Sequence, residues 1–392
     1  MSELDKKPRL LFVNYIYNEK APEITLEEIS RELSEKGYEI KILYQNKIND
    51  SSNKSQYSFI KDNLKRKFSK YFHGLNSIRK NILYIIREFK EVNEYRPDFI
   101  IYRSAIYNIS SLIVAKRKKI PFIIMSDGAD EYEYRISDFL LIPLIARKLL
   151  EINFKRANRI IALSNELKSY LLQYRVDADK ISVISLGSDY HKFEKVDKDS
   201  FILSKYDLSE KIIVGFVGSF LKWHGLENLI KVIPNIIAKH ENVKFLLVGI
   251  GPEFGCVKEF ISRHKYETEV ILVGYVPYID IPKYINIMDI TIMPSSNFYG
   301  TPLKIFEYMA AGKACIAPRL GPIANIIRDK KDGLLVDPWD GSELENAINI
   351  LISDEKYRNE LGENARNRIK GFYTWKHCAN KIDLMLKNLD KQ

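Results

Sequence analysis

The sequence predicts an α/β fold of two Rossmann-like domains, each a parallel sheet covered by helices. Three observations predict it. A chain of 392 residues is longer than one small core organises, at about 100 to 200 residues per domain. Short β-branched runs alternate with amphipathic helical stretches from the first strand onward, the pattern of βαβ units. The stretch from Asp289 to Pro318, DITIMPSSNFYGTPLKIFEYMAAGKACIAP, reads as a strand, a polar glycine-containing loop and a helix.

Composition narrows the class. Hydrophobic residues at 46% and charged residues at 29% are ordinary for a soluble globular protein. Cys256, Cys315 and Cys378 show no CxxC or Cys/His spacing and read as reduced thiols of a cytosolic chain, without a metal or redox role. The start, MSELDKKPR, runs straight into a strand and predicts no signal peptide. The apolar run near Phe139 to Ala146 contains Pro143 and ends at Arg147, short of the roughly 20 residues a membrane span needs. A net charge of +10 predicts attraction to polyanions. No helix-turn-helix, zinc-finger, RRM or KH signature points to nucleic acid, so phosphorylated donors and anionic membrane surfaces fit better.

Taken in order, Leu10 to Tyr15 read as a strand, Thr25 to Lys36 as a helix stopped by Gly37, and Glu39 to Tyr44 as a second strand. The loop Tyr17 to Pro22 holds no glycine, and Asn46 to Ser58 read as a flexible connection. Lys61 to Lys90 is strongly basic, and Leu75, Ile78, Ile82, Ile85 and Phe89 recur within it at helical spacing. The favoured reading packs that apolar stripe on the sheet and leaves the basic face outside, available to an anionic membrane. Strands follow at Phe99 to Tyr102, Pro121 to Met125, Arg159 to Ala162 and Ile181 to Ile184, with helical stretches between. Ser126, Asp127, Gly128, Asp130 and Glu131 come just after a strand, where α/β ligands bind. Asp127 is a candidate ligand-binding residue there; the alternative is a plain Asp-Gly turn.

The second domain begins at Ile212. IIVGFVGSF reads as a strand entering a glycine turn, and Gly225 to Lys239 as a helix. The start of that helix could face a phosphate; His224 before it is either a phosphate donor or a buried, hydrogen-bonded ring. Val243 to Gly249 form a strand followed by GIGPEFG, whose spacing is not GxGxxG. Further strands lie at Val270 to Val273 and Gly333 to Val336, and helices at Ser342 to Ser353, Glu355 to Ile369 and Thr374 to Leu389.

In the stretch from Asp289, Thr301 is the expected N-cap and Pro302 the first helical residue. The amides of Leu303 and Lys304 then form an anion site with the Lys304 ammonium beside it. Glu307 lies five residues past Pro302, roughly 7 Å along the helix at about 1.5 Å per residue, the reach of a ribose from its diphosphate. A nucleotide-diphosphate grip follows; the alternative is an ordinary αβ unit with a surface Glu and Lys.

GTPLKIFEYMAAGKACIAP closely resembles the signature of the family-four retaining glycosyltransferases of GT-B fold. The resemblance implies two facing Rossmann-like domains with a C-terminal helix crossing back to the first, at boundaries 1–190, a linker 191–211, 212–372 and 373–392. It implies donor contacts by Gly218, Ser219, Lys222, His224, Tyr299, Gly300, Thr301, Pro302, Leu303, Lys304 and Glu307, with Gly274, Tyr275 and Val276 lining the nucleobase pocket. The family's usual glutamate eight residues before Glu307 is Tyr299 here, its usual Arg and Lys after the first strand of the domain become Lys222, Trp223 and His224, and its Gly-rich first loop is missing. LGSDYHKF, from Leu186 to Phe193, resembles the family's interdomain segment.

The expected activity is retaining, metal-independent transfer of a sugar from a nucleotide-diphosphate donor, the only small molecule called for, with Asp127, Lys304 and Glu307 catalytic. The expected acceptor is a glycan or lipid-linked glycan of cell-surface polysaccharide synthesis, and the expected place the cytoplasm, peripheral on the membrane through residues 61–90. A nucleotide-sugar-binding partner subunit with weak turnover is the alternative.

Overall fold

The structure, a computed structural model, describes residues 7–15, 20–44, 63–132, 143–194 and 197–390, with the side chains of 20, 63–78 and 390 excepted. The glycine-free loop from Tyr17 to Glu19, the connection from Asn46 to Ser58, the apolar run before Pro143 and Lys61 of the basic segment lie outside these residues. The chain divides into two compact units, Met1–Ile184 with Ala379–Gln392, and Ser185–Cys378.

The first unit is built on strands β1 (Arg9–Asn14), β2 (Glu39–Tyr44), β3 (Phe99–Arg103), β4 (Phe122–Ser126), β5 (Arg159–Ala162) and β6 (Ile181–Val183). They pair in the order β2-β1-β3-β4-β5-β6, every pair parallel. β3 and β4 are buried along their whole length, which is why FIIYR and FIIMS read as continuous apolar runs instead of alternating ones. Helices α1 (Lys20–Glu35), α2 (Asn63–Tyr95), α3 (Ser110–Lys118), α4 (Pro143–Arg156) and α5 (Asn165–Leu172) connect the strands. The strand order reverses between β1 and β3.

One expectation for this unit holds only in part. Of the predicted stripe on α2, Ile85 and Phe89 are half-buried, Ile82 is 64% exposed, and the side chains of Leu75 and Ile78 lie outside the described ones; Leu83 and Ile86, which were not in the stripe, are 55% and 63% exposed. The helix buries Asn81, Glu88 and Val92. The cause is a polar network at the carboxyl ends of β1 and β3. Glu88 Oε1 accepts from Tyr15 Oη at 3.1 Å and Ser110 Oγ at 2.5 Å. Asn81 donates to the Tyr107 carbonyl and accepts from the Ile109 amide, both at 2.8 Å. These bonds fix the face of α2 that meets the sheet, and part of its apolar surface is left in solvent.

The second unit carries β7 (Ile212–Val217), β8 (Val243–Val248), β9 (Val270–Gly274), β10 (Ile290–Ile292), β11 (Ala314–Pro318) and β12 (Leu334–Val336), in the parallel order β12-β11-β10-β7-β8-β9. Its helices are α6 (Ser200–Lys205), α7 (Leu226–Lys239), α8 (Phe254–His264), α9 (Ile281–Ile287), α10 (Leu303–Ala310), α11 (Gly321–Ala324), α12 (Gly341–Ser353) and α13 (Glu355–Phe372). Phe216, Phe245, Ile292, Ile316, Ile233 and Ile348 pack from both sheet and helices into one core. The segment expected as a linker, 191–211, clusters with this unit: Phe193, Ile202 and Leu208 are buried, and Asp199 caps α6 by accepting from the Ile202 amide at 3.1 Å.

The last helix, α14 (Trp375–Asp390), begins in the second unit and from Ala379 onward belongs to the first. There Ile382 and Leu386 are buried, and Tyr38 Oη donates to Asp383 at 2.8 Å. Among the described residues no helix is long and apolar enough to cross a membrane.

Candidate functional site

In the second sheet the strand order reverses between β7 and β10, which lie side by side. Ligands of open α/β sheets bind beyond the carboxyl ends of strands at such a point. β7 leads into Gly218 and Ser219, and β10 into the loop that opens α10.

α10 starts one residue later than expected. Pro302, at φ −65° and ψ 130°, is extended and serves as the N-cap, so Leu303 is the first helical residue. Thr301 is therefore not the cap; its Oγ1 is buried without a hydrogen bond. The Ile305 amide donates to the Pro302 carbonyl at 3.0 Å, while the amides of Leu303 and Lys304 have no acceptor within the helix. Every residue of α10 is buried. Tyr308 fastens the helix to β7: its hydroxyl accepts from the Val217 amide at 2.7 Å and donates to the Val217 carbonyl at 3.2 Å.

The Lys304 ammonium lies 4.4 Å from the centre of the Phe216 ring and 3.4 Å from each ring nitrogen of His224. A β-carbon on Gly218, which holds φ +143°, would fall 2.5 Å from it. Gly218 is thus the residue that lets the lysine through. Gly249 supports that turn, since a β-carbon there would meet the Gly218 carbonyl oxygen at 1.9 Å. This accounts for the first glycine of GIGPEFG structurally. His224 is buried, and its Nδ1–H donates to the Ser219 carbonyl at 2.5 Å. Burial, with the Lys304 charge added, pushes this imidazole down to about 3, so it is a neutral ring at physiological pH.

Glu307 is 5% exposed and Lys304 9%, which removes the alternative of a surface Glu and Lys. Burial pushes the Glu307 carboxyl up to about 7, opposed by a hydrogen bond from Tyr278 Oη at 2.9 Å and by the charges of Lys304 and Lys192. Burial pushes the Lys304 ammonium down to about 7, opposed by Glu307. A helix of eight residues thus holds two buried ionisable groups within its first two turns. Burying such groups is costly, and clusters of this kind concentrate at functional sites.

The other expected contacts are distributed around this pair. Ser219, Lys222 and Trp223 are exposed beside it. Gly274 ends β9, and Tyr275 and Val276 follow it, with Tyr275 63% exposed. Tyr278, just beyond them, ties that loop to α10. Tyr299 is only 3% exposed; it packs edge-on against Phe298 and accepts from Asn297 Nδ2 at 3.0 Å. It sits inside the loop that Gly300 closes, where the Gly300 amide donates to the Asn297 carbonyl at 3.2 Å. Asp127 lies in the first unit, where Arg103 Nε and Nη2 each donate to its Oδ2 at 2.7 Å. Its neighbours Asp130 and Glu131 accept from Ser104 and Tyr174 at 2.5 and 3.0 Å. Among the described residues no group of three His, Cys, Asp or Glu could hold a metal ion.

Two residues of these clusters escaped sequence reasoning. Tyr278 meets Glu307 across 29 positions, and no local pattern marks the pair. Glu88 stood beside an apolar stripe, a position where a carboxylate signals either a solvent edge or a buried network.

Residues 199–368 match the family model "Glycosyl transferases group 1", and residues 22–192 match "Glycosyltransferase Family 4". An uncharacterized glycosyltransferase of Methanocaldococcus jannaschii, MJ1069, is 27% identical over 60% of each chain. The UDP-Gal:alpha-D-GlcNAc-diphosphoundecaprenol alpha-1,3-galactosyltransferase of Escherichia coli is 25% identical over 79% of this chain and 80% of its own. Among solved structures, the Anabaena protein HepE in complex with UDP superposes with a TM-score of 0.72 at 18% identity, covering 97% of this chain and 100% of that one.

Proposed function

The chain is a GT-B fold glycosyltransferase related to these two families, and from that premise we propose that it moves a sugar from a nucleotide-diphosphate donor to an acceptor hydroxyl with retention of anomeric configuration. One observation carries the reading: Lys304 and Glu307 are buried together at the start of α10, next to amides that have no acceptor in the helix. The donor diphosphate lies at those amides and the Lys304 ammonium. The Glu307 carboxylate accepts the ribose hydroxyls.

Charge that develops on the leaving diphosphate is then met by a preorganised helix start and a cation in a site of low polarity. These groups supply the stabilisation without a metal or cofactor. Asp127, held by Arg103, is the group assigned to the acceptor hydroxyl. Uridine is the first base to test, because the Escherichia coli relative is named for UDP-Gal and the Anabaena structure holds UDP. The same relative's name makes a lipid-diphosphate-linked glycan the first acceptor class.

Contact with an anionic membrane at the cytoplasmic face belongs to the same proposal, and α2 gives it a basis different from the expected one. Exposed Ile82, Leu83 and Ile86 lie among Arg79, Lys80 and Lys90, an apolar patch with a basic surround.

The test is incubation with UDP-, GDP-, ADP-, CDP- and dTDP-sugars, with and without a chelator, following released nucleoside diphosphate. Slow, chelator-resistant release from one donor is expected. Release from none, together with no binding of any nucleoside diphosphate, refutes the proposal.

A further inference from the structure

Glu307 does not stand alone in its pocket. Its Oε1 accepts the Tyr278 hydroxyl at 2.9 Å, while no hydrogen bond from the described residues reaches Oε2. Tyr278 opens a short turn, Tyr278–Asp280, four residues past the end of β9 at Gly274. The Lys192 ammonium lies 4.4 Å from the centre of the Tyr278 ring, a cation–π distance. Its charge also favours the ionised form of Glu307. Lys192 comes from LGSDYHKF, 86 positions before Tyr278, and is anchored by buried Phe193. Three segments distant in sequence therefore converge on one carboxylate.

We propose that Tyr278 and Lys192 are positioning residues for ribose recognition: Tyr278 occupies one oxygen of Glu307 and fixes the plane of the carboxylate, and Lys192 holds the Tyr278 ring from behind. The consequence is directional. A freely rotating carboxylate accepts many hydroxyl geometries. One pinned at Oε1 presents Oε2 and the outer lone pair of Oε1 along fixed lines, which suits the vicinal hydroxyls of a ribose. Discrimination between ribose and a sugar lacking those hydroxyls then depends on Tyr278 as well as on Glu307. This inference rests on the assignment of Glu307 to the ribose.

The experiment measures binding of UDP, GDP, ADP and CDP and of their 2′,3′-dideoxy counterparts to the full chain, and reads the ratio of the two affinities. The wild type should prefer the ribose form by at least about tenfold, and Glu307→Ala should erase the preference. Tyr278→Phe keeps the ring and its contact with Lys192, and should cut the preference by roughly three- to tenfold while leaving the affinity for the dideoxy form unchanged. Lys192→Met should raise the pH at which the preference disappears on acidification, and Lys192→Arg should leave that pH in place. A loss in Tyr278→Phe that is equal for both sugars would mean a general structural role and overturn the inference, as would an unchanged ratio or tighter ribose binding. If instead Glu307→Ala retains the preference, or no ribonucleoside diphosphate binds, the ribose assignment itself falls and the inference with it.

Discussion

Glu88 is the carboxylate whose replacement should be felt most clearly in the stability of the first unit. It is wholly buried, and its Oε2 has no hydrogen bond. Ser111 Oγ, also buried and without a hydrogen bond, acts on it only as a nearby dipole. Burial pushes the carboxyl up from 4.5 to about 7, against the opposing hydroxyls of Ser110, Ser111 and Tyr15. The folded chain therefore holds the proton more tightly than the unfolded one. The stabilisation is complete below pH 4.5 and is lost as pH rises through about 7. Between pH 5 and pH 8 the loss comes to roughly 2 to 3 kcal/mol, on the order of 50-fold in the opening equilibrium. Glu88→Gln keeps an acceptor for Tyr15 and Ser110 and cannot ionise, so its stability lacks this slope. Hydrogen exchange of peptides covering β1 and α3 reads the local opening, and comparing variant with wild type at the same pH cancels the intrinsic exchange rate. The ratio should move by that factor in the variant's favour from pH 5 to pH 8. A ratio constant within about twofold across the range would refute the assignment of a protonated, buried Glu88.

Four further outcomes follow from the second unit and from α2. Glu307→Ala should abolish measurable transfer, since losing a charged hydrogen bond pair to ribose costs about 1.5 to 3 kcal/mol or more, and Glu307→Gln should be intermediate; a rate and donor affinity within about twofold of wild type would remove the proposed grip. Lys304→Ala should weaken a nucleoside diphosphate and slow turnover while leaving a nucleoside monophosphate almost unaffected. Because burial draws Lys304 and Glu307 both to about 7, wild-type diphosphate affinity should peak near neutral pH, and Lys304→Met should flatten only the alkaline side in a titration by calorimetry. Vesicles of anionic lipid should bind the chain less as salt rises and the Debye length falls from about 10 Å at 0.1 M to about 3 Å at 1 M; reversing Arg79, Lys80 and Lys90 to Glu, or changing Ile82, Leu83 and Ile86 to Ser, should abolish that binding in a sedimentation assay. Arg87 is unsuitable for that test, because its guanidinium holds the Tyr44 carbonyl at 2.6 Å.

What could be read from the chain divides along physical lines. Strands buried on both faces, such as FIIYR and FIIMS, declare themselves by composition. α10 does so by its helical composition and the glycine that ends it. β11 was not visible as a strand, since ACIAP has one isoleucine among small residues and a terminal proline and carries little β propensity. Its strand character comes from the neighbours β10 and β12. The face of α2 was read only in part because periodicity reports which residues share a side, not which side the sheet takes. There Asn81 and Glu88 turn the buried face away from Ile82, leaving Ile85 and Phe89 half-buried, through hydrogen bonds to Tyr107, Ile109, Tyr15 and Ser110. In the site, Lys304 and Glu307 were legible as a pair at helical spacing. Their depth was not, because it is set by Phe216, His224 and Tyr278, which arrive from other parts of the chain.

The division of the last helix sets an order of assembly. Residues from Ala379 onward complete the first unit, with Ile382 and Leu386 in its interior and Asp383 on Tyr38. On the ribosome the chain emerges from its N-terminus, at about 5 to 20 residues per second, so the unit that starts first is the one that finishes last. The second unit, continuous from Ser185 to Cys378, has all its residues before the first unit receives its closing piece. A chain released at residue 378 would carry a complete second unit tethered to an incomplete first one, whose unfilled apolar seat is a natural target for chaperones. Loss of the stretch from Ala379 by a frameshift would thus be felt at the opposite end of the sequence.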